Sequence, residues 1–157
     1  MFKRVLLCYD GSAAGRRALR RGAELAILLN AQVHVLSINT GGVTDPVVAA
    51  GAAGTACIVD DGGGARRLLD ESLDWLRARG VSAEGYLTAG NTFDEIVKFS
   101  KRLGIELIVL GHYPQPSGGF WWSSMARGSL AERANCCVFV AVDNAADPGP
   151  PSIPGPG

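Results

Sequence analysis

The sequence predicts a doubly wound α/β sandwich, an open, parallel five-stranded sheet with helices on both faces. Three observations lead there. Short runs such as Val5-Leu6-Leu7 and Leu107-Ile108-Val109-Leu110 are apolar at consecutive positions, so both faces of each strand must be covered, as in parallel sheets. Between these runs, apolar residues recur at helical spacing. The length of 157 residues suits one ordinary domain and not two.

Phe2 to Tyr9 reads as the first strand, ending in the turn Asp10-Gly11-Ser12, a group of turn formers. A helix follows from Ala13 to Leu29. Leu19, Gly22, Ala23, Ala26 and Leu29 lie along one face, with Arg16, Arg17, Arg20, Arg21 and Glu24 on the solvated side. Gln32 to Ile38 forms a second strand. Leu69, Ser72, Leu73 and Leu76 mark a helix from about Ala65 to Arg79, and Gly80 and Gly90 bracket a third strand at Ser82 to Leu87. Phe93, Ile96, Val97, Ser100 and Leu103 mark the next helix, which Gly104 stops. Glu106 to Leu110 is the fourth strand. A short helix near Ser129 to Ala134 leads to the fifth, Cys137 to Val142.

Residues 1–142 thus form the domain. Gly41 to Gly64, with seven glycines and five alanines, reads as a long flexible connection open to ordering by a partner. Asp143 to Gly157 holds five of the eight prolines and reads as a disordered tail.

Composition narrows the function. Apolar residues make up 47% and charged residues 19%, the balance of a chain with a core and not of a disordered one. Fifteen basic residues offset fifteen acidic ones, so no net field draws the chain to nucleic acid or anionic lipid. The apolar stretch near Met1 is too short for a signal peptide, and no run of about 20 apolar residues could span a membrane. The expectation is a cytoplasmic protein. Cys8, Cys57, Cys136 and Cys137 contain no CxxC pair and read as buried, reduced thiols.

Ligands of open parallel sheets bind beyond the carboxyl ends of the strands, where the strand order reverses. Three turns there have suitable residues. Asp10 and Ser12 follow the first strand. Gly111-His112-Tyr113-Pro114-Gln115-Pro116-Ser117-Gly118-Gly119 follows the fourth. Gly128-Ser129 is placed at the start of the last helix, where bare N–H groups and the helix dipole suit an anion. Together they suggest an anion cradle. His34 alternates within a strand and needs no function. Phe120-Trp121-Trp122 suits a core or subunit interface, or a lid over a ligand.

Several of these segments together resemble the universal stress protein family. They are Val5-Leu-Leu-Cys-Tyr-Asp10-Gly-Ser12, Gly90-Asn-Thr-Phe-Asp-Glu-Ile96, Glu106-Leu-Ile-Val-Leu-Gly111-His112 and Gly128-Ser129-Leu-Ala-Glu-Arg133, in that order and followed by the closing strand. The resemblance covers Met1 to about Val142 and implies an adenine-nucleotide α-hydrolase-like fold. It further implies a site for ATP or AMP, with Mg accompanying the nucleotide. In that site Asp10 stands near the ribose and Ile38 lines the adenine pocket. Gly111, His112, Gly118, Gly128, Ser129 and Leu130 complete the nucleotide-binding set. ATP-binding members carry G-x2-G-x9-G-[ST]. Gly118 and Gly128-Ser129 fit its second part, but Gln115 stands where the first glycine belongs. Gly111 takes that glycine's place, in a loop four residues longer and stiffened by Pro114 and Pro116. The resemblance also implies a homodimer through the last strand.

Signatures of efficient catalysis are missing. GxxxxGK[ST], HExxH and a strand-borne GxSxG do not occur, and no lysine follows Lys101 to neutralise phosphates. Two functions of different classes remain open. One is a nucleotide-binding protein that signals in stress through contacts with an unidentified protein partner. The other is a nucleotide-free interaction module whose long Pro/Trp loop covers the pocket. A weak ATPase is a third.

Overall fold

A computed structural model of the chain describes residues 1–39, 63–111 and 124–142. Five strands, β1 (Arg4–Cys8), β2 (Gln32–Asn39), β3 (Ala83–Ala89), β4 (Leu107–Gly111) and β5 (Cys137–Ala141), form one sheet of order β3-β2-β1-β4-β5. Every neighbouring pair is parallel. Helices α1 (Ala13–Leu29), α2 (Gly63–Arg77), α3 (Thr92–Leu103) and α4 (Ser124–Ala134) alternate with them.

The alternation of side chains along each strand decides which helix covers which residue. Val5 and Leu7 on β1, Val33 and Val35 on β2, and Leu107 and Val109 on β4 pack with α1 and with Leu69 and Leu76 of α2. Their neighbours Leu6, Leu36, Ile108 and Leu110 face the other way, against Ile96, Val97 and Phe99 of α3 and Leu130 and Ala134 of α4. Val5, Leu6, Leu7, Leu36 and Ile108 are fully buried. Each such side chain contributes roughly 1.5–3 kcal/mol by leaving water, which is why consecutive apolar residues signal a sheet with two covered faces.

Local chemistry sets the helix ends. Ser12 caps α1 by accepting the Gly15 N–H at 2.9 Å, and Asn30, left-handed at φ 50°, closes it. Asn91 caps α3 by accepting from the Asp94 N–H at 3.1 Å, and Gly104 at φ 62° ends it as expected. The acidic residues of α3, Asp94 and Glu95, lie in its first turn, and Lys101 and Arg102 in its last, matching the helix dipole.

Several boundaries differ from expectation. α2 begins at Gly63, so helix extends into what reads as a glycine-rich connection. β3 continues to Ala89 because Thr88 and Ala89 find partners in Ile38 and Asn39 of β2. α4 begins at Ser124, more than a turn before Ser129. The rest of the Gly41 to Gly64 connection and the Asp143 to Gly157 tail lie outside the described residues. Among the described residues, no helix is long and apolar enough to cross a membrane.

The cysteines also depart from a uniformly buried set. Cys8 and Cys136 are half-buried, whereas Cys137 is exposed because it opens β5, an edge strand with one neighbour. Cys57 lies outside the described residues.

Candidate functional site

The strand order reverses between β1 and β4. From β1 the chain crosses to β2 over the α1 and α2 face; from β3 it returns to β4 over the α3 face. The connections therefore diverge beyond the carboxyl ends of β1 and β4, the place where ligands of open parallel sheets bind. Asp10 follows β1 there, Gly111 ends β4, and Ile38 lies near the end of the adjoining β2.

The turn after β1 is tied down at each residue. Tyr9 is buried and donates its N–H to the Leu36 carbonyl at 3.0 Å. Asp10 Oδ1 accepts the Ser12 N–H at 3.0 Å and the Ser12 hydroxyl at 2.5 Å. Gly11 sits at φ +79°, and a Cβ there would come within 2.8 Å of Leu68. Arg16 Nη1 donates to the Gly11 carbonyl at 2.6 Å. Arg16 is thus half-buried and bound to the turn, not one of a purely solvated row of arginines. Burial raises the Tyr9 phenol above its ordinary pKa, with Arg16 opposing. The Cys8 thiol is pushed up by burial and then by the negative Asp10, which keeps it protonated and inert.

Gly111 has no room for a side chain, since a Cβ would run into the Ala14 carbonyl and side chain in the first turn of α1. Strand end and helix start meet there backbone to backbone. Ile38 is half-buried and packs on the α3 and α4 side. Its β3 partner Thr88 donates to Glu95 Oε2 at 2.6 Å. That bond, joined by Lys98, holds the Glu95 carboxyl below its ordinary range against the effect of burial.

The α4 residues divide. Gly128 and Ser129 are exposed, and Leu130 is fully buried in the α3 and α4 cluster. Since α4 begins at Ser124, Gly128 and Ser129 occupy its second turn and not its N-terminus. Their N–H groups fall in the stretch where intrahelical bonding begins. The side chain of Leu130 serves the core. His112, Gly118, Gln115 and the Phe120-Trp121-Trp122 triplet lie outside the described residues.

Sequence reasoning missed Gly15 and Arg16, which the fold packs against the Asp10 turn. Spacing could have suggested Gly15, since a helix capped by Ser12 is expected to have Glu or Gln at that position. Among the described residues, no group of three His, Cys, Asp or Glu could hold a metal ion. The depression lined by Ile105, Glu106, Glu132, Asn135 and Cys136 lies at the amino ends of β4 and β5, opposite the turns just described.

A parallel sheet of this order, with a carboxylate turn and a glycine at its reversal point, defines a doubly wound α/β protein. The model of the Universal stress protein family matches residues 1–141, and the chain belongs to that family. Solved structures agree in fold. A universal stress protein in complex with cAMP is 20% identical at a TM-score of 0.63, covering 91% of this chain and 98% of that one. One from Archaeoglobus fulgidus in complex with dAMP is 23% identical at a TM-score of 0.58, covering 89% and 97%. A family protein from Arabidopsis thaliana with AMP bound is 20% identical at 0.62, covering 97% and 98%. Comparison with curated protein sequences finds no match.

Proposed function

We propose that this chain binds an adenine nucleotide, ATP or AMP, beyond the carboxyl ends of β1 and β4, and that it acts in stress signalling through protein contacts in the cytoplasm. Gly128 carries the reading. Glycine inside a helix costs roughly 1 kcal/mol relative to alanine, yet among the described residues a Cβ at Gly128 would meet nothing within 4 Å. Packing against those residues gives no reason for a glycine, whereas close approach of a phosphate does. The adenine nucleotides bound by relatives of the same fold support the same choice.

In this reading Asp10 receives the ribose and Ile38 lines the adenine pocket. The Gly111 end of β4 and the Gly128-Ser129-Leu130 backbone flank the phosphates. His112 and Gly118 join them on the family resemblance. Mg would arrive with the phosphates.

The test is the nucleotide content of the purified protein, released by heat and identified by mass, followed by calorimetric titration with ATP. Bound adenine nucleotide, or binding that Gly128→Val abolishes, is expected. Absence of both bound nucleotide and heat up to millimolar ATP would refute the reading in favour of a nucleotide-free interaction module.

A homodimer through β5 belongs to the same proposal. β5 is an edge strand, and Phe139 on it is 38% exposed. Pairing two copies covers an edge that would otherwise invite aggregation. Sedimentation should show a dimer that Phe139→Lys converts to monomer.

A further inference from the structure

The third residue of α1 is Gly15, where a Ser-capped helix commonly places Glu or Gln to accept the cap residue's own N–H. Glycine has no such group. The acceptor comes instead from the other direction in the chain, since Asp10 Oδ1 takes the Ser12 N–H at 3.0 Å. The same oxygen accepts the Ser12 hydroxyl, whose oxygen in turn accepts the Gly15 N–H at 2.9 Å. A carboxylate in this place also gains from the positive end of the helix dipole.

The space this needs exists only because residue 15 lacks a side chain. A Cβ on Gly15 would overlap Asp10 Oδ1 and come within 3.2 Å of Ser12 Oγ and 3.4 Å of the Asp10 N. Gly15 is buried and its backbone is helical, with no left-handed conformation to explain the glycine.

We infer that Gly15 is a positioning residue for the nucleotide site. By leaving its side-chain space to the Asp10 carboxylate, it lets Ser12 lock that carboxylate in one orientation at the reversal point before ligand arrives. Alanine at position 15 drives the carboxylate away from Ser12, and the ribose then meets a group that must be reordered on binding. A site whose polar groups are already in place loses less entropy on binding. This inference rests on the reading that Asp10 receives the nucleotide.

The experiment is calorimetric titration of AMP into the full chain as wild type, Gly15→Ala, Asp10→Ala and the double variant, with a backbone amide NMR spectrum of each. Gly15→Ala should weaken AMP binding roughly tenfold, the effect of losing one well-placed polar contact. In the Asp10→Ala background the same change should have no further effect, because the carboxylate it displaces is gone. The Ser12 amide resonance should move in both single variants. Unaltered affinity in Gly15→Ala overturns the inference, as does an equal loss in both backgrounds, which would mean the effect runs through the helix. A wild type that binds no AMP refutes the nucleotide reading; the Ser12 amide then decides the positioning, and its failure to move in Gly15→Ala overturns that too.

Discussion

Gly111 and Ala14 meet backbone against backbone: the last residue of β4 lies so near the first turn of α1 that a Cβ on Gly111 would overlap the Ala14 carbonyl. The contact joins the two elements on either side of the reversal point. It gives Gly111 a structural duty beside any role toward a ligand.

Gly111→Ala should therefore destabilise the fold by about 2 kcal/mol, the usual scale of forced overpacking. The obstacle is backbone and cannot rotate away. A urea denaturation midpoint measures the loss; an unchanged midpoint would show that strand and helix separate freely.

Gly128→Ala should move stability the opposite way. Its site is exposed and helical, so alanine should add about 0.5–1 kcal/mol in the same assay. Nucleotide affinity should fall even as stability rises. A gain in both would assign Gly128 neither to packing nor to the ligand.

His34 makes stability depend on pH. It is buried beside Tyr86, whose hydroxyl lies 3.3 Å from Nδ1, and burial lowers its pKa from the ordinary 6.5, with Glu84 opposing and Arg4 assisting. Below 6.5 the unfolded chain binds this proton more readily than the folded one. Its contribution to stability is therefore intact above that pH and declines as pH falls toward the lowered folded value. Melting temperatures between pH 7.5 and 5 should fall for wild type and fall less for His34→Phe. Parallel curves would exclude His34 as the source.

Among the described cysteines, Cys137 should react first with an alkylating reagent at pH 7.5. It is exposed, whereas Cys136 is half-buried with its thiol pushed up to about 11, first by burial and then by Cys137. Thiolate is the reacting species. Peptide mass mapping should show Cys137 modified well before Cys136 and Cys8; simultaneous labelling would contradict the burial pattern.

The turn after β1 and the ends of α3 were legible because their chemistry is local in sequence. Asp10, Gly11 and Ser12 mark a turn by residue type alone, and Asn91 and Gly104 mark the ends of α3 in the same way. The start of α4 was not legible. Gly128-Ser129 looks like a helix beginning because glycine and serine favour helix ends, yet the helix runs through them from Ser124, with Leu130 and Ala134 anchored in the core. Tertiary packing outweighs a local preference of about 1 kcal/mol.

The alternation of aliphatic strands and amphipathic helices by itself determined that both faces of a parallel sheet must be covered, since apolar groups leave water wherever they lie along the chain. It also placed the carboxylate turn after the first strand. Only the tertiary structure decided that Gly111 faces Ala14, that Arg16 folds back onto Gly11, and that Gly15 holds space for Asp10. Those are contacts of shape between elements, and periodicity identifies the face a residue occupies without fixing how closely two backbones approach.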